Sequence, residues 1–186
     1  LGLRREELTA LIGGPPCQGF SRNIPAGYRY LKDPRNQLYK AFLEFVREFR
    51  PLYVVMENVP EILKAYDGSV RSEITQQLES MGYKVTSASL NAAYYGVPQT
   101  RARAFFIASL NGRYPTLPES THSGDIRSNF RDAKPHTQLT LLDMIPSPIL
   151  TVRDAIGDLP PLDAGQEYVR ENYPAQPQTT YQALMR

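Results

Sequence analysis

Apolar positions in the first 110 residues follow two rhythms. Short continuous runs are bounded by glycine, proline or charge: "TALIGG" from Thr9, "LYVVME" from Leu52 and "AFFIASL" from Ala104. Apolar runs of this length predict buried strands. Elsewhere the apolar residues recur three or four apart. Leu38, Phe42, Phe45, Val46 and Phe49 predict one helix face, and Val70, Ile74, Leu78 and Met81 predict a second. Asp33 and Pro34 offer an N-cap and a first helical position for the earlier helix. That helix must end near Arg50, because Pro51 disfavours helix in the residue before it. Gly82 suits the C′ position of the later helix.

"YKVTSASL", from Tyr83, alternates in parts and reads as a further strand. Strand–helix–strand–helix–strand predicts an α/β layer fold with parallel strands and right-handed crossovers. No helix separates the last two strands, so they are expected to pair antiparallel. After Leu110 the rhythm fades. Prolines gather between Pro115 and Pro161 among Ser, Thr, Asn and Asp, which reads as long surface connections. The chain therefore divides at sequence level into a compact part, 1–110, and a loop-rich extension, 111–186.

Composition changes this picture little. The chain has 186 residues, 41% hydrophobic and 22% charged, which is ordinary for a domain with a real core. No apolar run approaches the ~18 residues that a membrane span needs. "LGLRREELTA" has no signal-peptide layout. The single cysteine excludes an intramolecular disulfide framework and fits a reducing compartment, cytoplasm or nucleus. The net charge of +2 is uninformative, but Arg22, Arg29, Lys32 and Arg35 stand against one acid, Asp33. Charge alone leaves two readings open, a solvated loop or a loop that meets phosphate.

Three stretches carry candidate chemistry. "IGGPPCQGFS" places Cys17 directly after a predicted strand, at the carboxyl end where open α/β sheets bind ligands. A free cysteine is most often a small buried hydrophobe. Here, though, Pro15 and Pro16 fix the backbone, and Gly13, Gly14 and Gly19 relax its limits, a scaffold that a merely packed cysteine does not need. "MENVP" closes the next apolar strand with Glu57 and Asn58. Parallel topology puts them on the same rim as Cys17, so a carboxyl able to move a proton stands beside a thiol. "YGVPQTRARAFF" alternates Gln99, Arg101 and Arg103, which share one face if the chain is extended. Two arginines there suit a phosphate or a base edge.

In this order, "GPPCQGFS", "ENV" and "QTRAR" resemble the motifs of the DNA cytosine-5 methyltransferases. The resemblance is strong from Thr9 to Leu110 and extends weakly through "TVRDAIGDLP". It implies part of a Rossmann-like, S-adenosylmethionine-dependent methyltransferase fold, acting on double-stranded DNA. It implies that Cys17 is the nucleophile at carbon 6 of cytosine, that Glu57 acts at ring nitrogen 3, and that Arg103 contacts the base. By the same resemblance Asn58 supports the site, Arg101 lies nearer the phosphate backbone and Gln99 orders its loop. The basic segment from Gln18 to Arg35 becomes the mobile loop that flips the base out of the duplex, with Gln18 and Ser21 facing DNA.

Pro16 and Leu38 match positions lining the cofactor pocket, one wall of it. The family's Phe-x-Gly-x-Gly motif and its ribose-gripping acid belong upstream of residues 1–16, and Thr9 stands where an aspartate often starts the strand. The chain thus reads as a central slice of a larger enzyme. Its first strand is then expected to present an unpaired edge, prone to self-association. Alternatives are a non-catalytic DNA-binding or assembly module that kept the motifs, and a methyltransferase acting on RNA cytosines. A cysteine hydrolase is disfavoured, because His122 and His136 lie in polar stretches with no motif around them.

Overall fold

The structure, a computed structural model, describes residues 2, 4–16, 38–126, 146–165, 167 and 176–186. Expectations for Cys17, Gln18, Ser21, the Asp33 cap and the basic stretch fall outside these residues. Among the described residues four strands form the main sheet: β1 (Ala10–Gly13), β2 (Tyr53–Asn58), β3 (Lys84–Asn91) and β4 (Ala102–Ser109). Their spatial order is β1-β2-β4-β3. β1 pairs parallel with β2, from Ala10 opposite Tyr53 to Gly13 opposite Met56. β4 runs antiparallel to both of its neighbours. The expected antiparallel pairing of β3 with β4 is therefore present. The insertion of β4 between β2 and β3 was not readable from order along the chain.

Helix α1 (Leu38–Phe49) joins β1 to β2, and α2 (Ser69–Ser80) joins β2 to β3. Both cover the same face of the sheet. Tyr39, Leu43 and Val46 of α1 and Val70, Ile74 and Leu78 of α2 form one core with Val54, Met56, Val85, Ala104, Phe106 and Ala108. Burying each of the larger side chains stabilises the fold by about 1.5–3 kcal/mol. The α1 face departs from the predicted stripe. Leu38 and Phe45 remain 39% and 57% exposed, whereas Tyr39 is buried. An aromatic ring with a polar tip can be buried if the tip finds a partner, and the Tyr39 hydroxyl donates to Glu73 Oε2 at 2.9 Å. Phe45 instead lies outward and stacks on Phe49, with ring centroids 6.3 Å apart.

Both helix ends have local causes. After α1 the chain turns at Arg50, whose φ of +48° is left-handed. The Arg50 side chain is held between Glu6, 3.1 Å away, and the Met81 carbonyl, 3.1 Å away. After α2, Gly82 adopts φ +93°. Its N–H donates to the Glu79 carbonyl, and the Tyr83 N–H donates to the Leu78 carbonyl. This is the paired bonding that caps helix carbonyls past a left-handed residue.

The other face of the sheet is only half covered. Ile12, Val55 and Ile107 lie side by side on it by register, and Ile12 is 73% exposed. Beyond β4, the described residues form short elements: the two-residue strands β5 (His122–Ser123) and β6 (Ser147–Pro148), and helices α3 (Val152–Ile156) and α4 (Thr180–Met185). Thr151 and Asp154 cap α3 reciprocally. Thr179 Oγ1 donates to the Asp154 carbonyl, and Arg186 pairs with Asp158, which ties α4 to α3. Among the described residues no helix is long and apolar enough to cross a membrane.

Tyr83 locks the start of β3 to the start of β2, its buried hydroxyl donating to the Pro51 carbonyl at 2.6 Å. Tyr83→Phe leaves that carbonyl unpaired and is expected to cost about 1–3 kcal/mol in urea unfolding. Burial pushes the Tyr83 phenol up to about 12. Because the neutral phenol is the form the fold favours, its contribution is whole below the ordinary tyrosine range and is lost as pH rises toward that value. Stability should therefore fall between about pH 10 and 12, with a shallower fall in Tyr83→Phe.

Candidate active site

The parallel pairing of β1 and β2 sets the site. Gly13 lies opposite Met56, so Gly14 and Pro15 leave β1 beside Glu57 and Asn58 at the end of β2. A Cβ at Gly14 would stand 3.0 Å from Glu57 Oε2. Glycine lets the backbone come this close with the carboxylate in place, whereas any larger residue would require the Glu57 side chain to shift. Gly13 has a parallel reason on the covered face, where a Cβ would meet the Phe42 ring at 2.8 Å.

Asn58 is buried, 4% exposed, and both ends of its amide are used. Nδ2 donates to the Pro15 carbonyl at 3.0 Å, and Oδ1 accepts from the Val59 N–H at 2.8 Å. Pro15 cannot be held through an N–H, so its carbonyl is the available handle. Asn58 thereby pins the segment that leads, two residues on in sequence, to Cys17.

Arg103 comes from β4. Glu57 pairs with Phe105 across the β2–β4 ladder, so Arg103 is its diagonal neighbour on the same face. Arg103 Nε lies 2.8 Å from Glu57 Oε1, and Nη1 donates to the Ala102 carbonyl at 2.7 Å. The arginine and glutamate side chains are 25% and 39% exposed. A pair this open adds little stability, on the order of 0–1 kcal/mol. Its effect is orientation: one carboxylate oxygen is turned to Arg103, the other toward the bare Cα of Gly14.

Gln99 and Arg101 depart from the extended alternation expected of them. They precede β4 in tight turns, the Gln99 N–H bonding the Val97 carbonyl at 2.7 Å and the Arg101 N–H the Gln99 carbonyl at 3.1 Å. Pro98 fixes one φ in this stretch and removes a donor. Both side chains are exposed, and only Arg103 stands on the strand. Pro16 is exposed, as is Leu38 at the first turn of α1. The structure thus brings together Gly14, Pro15, Glu57, Asn58 and Arg103. The direct Glu57–Arg103 pairing and the Asn58–Pro15 bond were not foreseen, because both depend on which strands are neighbours. Among the described residues no group of His, Cys, Asp or Glu is arranged to hold a metal ion.

Comparison with known proteins adds to this geometry. A profile of the family described as C-5 cytosine-specific DNA methylase matches residues 3–181. The chain is 38% identical over 178 residues to the Type II methyltransferase M1.HphI of Haemophilus parahaemolyticus, covering 96% of this chain and 41% of that protein. It is 39% identical over 193 residues to the Type II methyltransferase M.AgeI of Thalassovita gelatinovora, covering 100% and 43%. It is 31% identical to the DNA (cytosine-5)-methyltransferase PliMCI of Paracentrotus lividus, covering 98% of this chain and 12% of that protein. The chain spans about two fifths of the length of the first two.

Asn58→Asp replaces the donor facing the Pro15 carbonyl with an acceptor. It is expected to lower stability by about 1–3 kcal/mol in denaturant titration, and by no less than Asn58→Ala. Equal stability in all three proteins would contradict the pinning role.

Proposed function

The chain belongs to the C-5 cytosine-specific DNA methylase family, and on that premise we propose that residues 1–110 are the catalytic half of an enzyme that methylates carbon 5 of cytosine in double-stranded DNA. Residues 111–186 would lead toward a target-recognition region. The observation that carries the reading is the Glu57–Arg103 pair, 2.8 Å long, at the rim where Gly14 and Pro15, three and two residues before Cys17 in sequence, leave β1. Two motifs distant in sequence meet there with complementary charge.

Carbon 5 of cytosine is too weak a nucleophile to take a methyl group unaided. In the proposed mechanism the Cys17 thiolate adds to carbon 6, forming a sulfur–carbon bond. Glu57 hydrogen-bonds or protonates ring nitrogen 3 as electron density moves onto the ring. Carbon 5 then becomes nucleophilic enough to be methylated. Solvent water then takes the carbon 5 proton, the electrons of that bond re-form the carbon 5–carbon 6 double bond as the carbon 6–sulfur bond breaks, and Cys17 leaves as the thiolate while nitrogen 3 gives back any proton to Glu57. Arg103 orients the Glu57 carboxylate and contacts the base. Asn58 keeps the Pro15 carbonyl, and with it the segment before Cys17, against β2.

The base must leave the duplex to reach these groups. Residues 18–35 would accompany that step, Gln18 and Ser21 facing DNA and the basic side chains meeting phosphate. Arg101 would reach the backbone from the other side, with Gln99 ordering its loop. Pro16 and Leu38 present exposed apolar surface, which fits one wall for S-adenosylmethionine. The cofactor, when bound, supplies the methyl group.

A duplex carrying 5-fluorocytosine tests the chemistry, since fluorine at carbon 5 cannot leave as a proton does and the covalent adduct persists. With the whole protein and cofactor, an adduct stable to denaturing electrophoresis is expected. Cys17→Ala should abolish it, and Glu57→Gln should slow its formation about 10²–10⁴-fold. An adduct in Cys17→Ala would remove Cys17 from its role.

The partner reading extends to the chain itself. Among the described residues β1 is an edge strand of the sheet, with Ile12 73% exposed, and such edges pair with other chains unless blunted. Gel filtration of the 186-residue chain is expected to show self-association, reduced by Ile12→Lys. A clean monomer at micromolar concentration would contradict this.

A further inference from the structure

We propose that His122 is a positioning residue that holds the loop between β3 and β4 in the conformation presenting Arg101, an inference that rests on the reading of Arg101 as a phosphate contact. The loop runs from Asn91 to Ala102, which pair across its neck. Its neck is closed again by the Ala92 N–H donating to the Arg101 carbonyl at 3.0 Å, and by Asn91 Oδ1 accepting from the Ala93 N–H at 3.2 Å. The first limb is anchored, with Ala93 and Tyr94 buried. The second limb, carrying Val97, Gln99, Thr100 and Arg101, is exposed. Gly96 stands where one limb becomes the other, at φ +78°.

The segment 118–123 grips the loop from outside. Tyr95 OH donates to the Pro118 carbonyl at 3.1 Å, and the Thr121 N–H donates to the Tyr94 carbonyl at 3.0 Å. The His122 ring lies against Gly96, so close that a Cβ there would stand 2.8 Å from its Cε1. The ring is itself oriented, with Nδ1 2.8 Å from Thr121 Oγ1. Burial, and then the Asp125 carboxylate, push the Tyr94 phenol up, which places the continuation of this segment within electrostatic range of the anchored limb. His122 therefore fills the space over the turning point. Without the ring, Gly96 is held only by backbone bonds, its N–H and that of Val97 both donating to the Ala92 carbonyl, and the exposed limb loses the side chain that braces its departure angle.

Two readouts on the full chain test this. In hydrogen exchange, the Val97 and Arg101 amides, bonded to the Ala92 and Gln99 carbonyls, should exchange about tenfold faster in His122→Ala, with β2 and β4 amides unchanged. His122→Phe, which keeps a ring on Gly96, should restore wild-type exchange. In binding to a short fluorescent duplex, Arg101→Ala should lower the salt slope by about 1. His122→Ala should lower it equally, and the double variant no further. Unchanged exchange at Val97 and Arg101 in His122→Ala overturns the proposal, as does a loss of slope that adds fully to that of Arg101→Ala. If exchange rises as expected but the wild type shows no salt-dependent duplex binding, the loop-holding contact stands and the DNA reading of Arg101 falls.

Discussion

The parallel register of β1 and β2 is the constraint on which the site depends. Two strands that run the same way end on the same rim, so the glycine-proline exit of one meets the acid-amide exit of the other. The contact is intimate because Gly14 has no side chain to hold Glu57 away. It is fixed because Asn58 spends its amide on the Pro15 carbonyl rather than on solvent. An antiparallel pairing of the same two strands would have sent these groups to opposite ends of the sheet.

The inverted strand β4 completes the arrangement. Entering between β2 and β3 from the rim end, it delivers Arg103 at its start, diagonal to Glu57. A parallel strand in that position would reach the rim only at its far end. Its apolar residues would still have filled the core, but its leading arginine would have been carried away from the carboxylate. The alternation of β4 serves both tasks, with Ala104, Phe106 and Ala108 buried under the helices and Arg103 on the opposite face.

Much of this was legible in the sequence where burial imposes a pattern. Each apolar run became a strand within a residue or two, and Val70, Ile74 and Leu78 line the core as their spacing predicts. Residues from the three stretches singled out also meet, Glu57 pairing with Arg103 and Asn58 bonding the Pro15 carbonyl. Legibility failed where the outcome depends on distant partners. The α1 stripe was right at Val46 and Phe42 but not at Leu38 and Phe45, because the helix's apolar residues cover two stripes and the buried one takes in Tyr39, whose hydroxyl finds Glu73 on another helix. The alternation of Gln99 with Arg101 looked extended, but Pro98 and the closure of the loop at Asn91 turn it. Which strand sits beside which is a long-range fact, and with it went the Glu57–Arg103 pairing. His122 has no motif of its own and is visible only through the glycine it covers.

The ties at Pro15 and Tyr39 have one more consequence. Pro15 and Tyr39 are two fixed posts, one held by Asn58 and the other by the α1 core and Glu73. The entropic cost of joining two fixed ends grows only logarithmically with the number of residues between them, about 0.6 kcal/mol for each doubling. The number of residues between the posts therefore weighs little on the framework, and the rim can keep its geometry over a range of lengths.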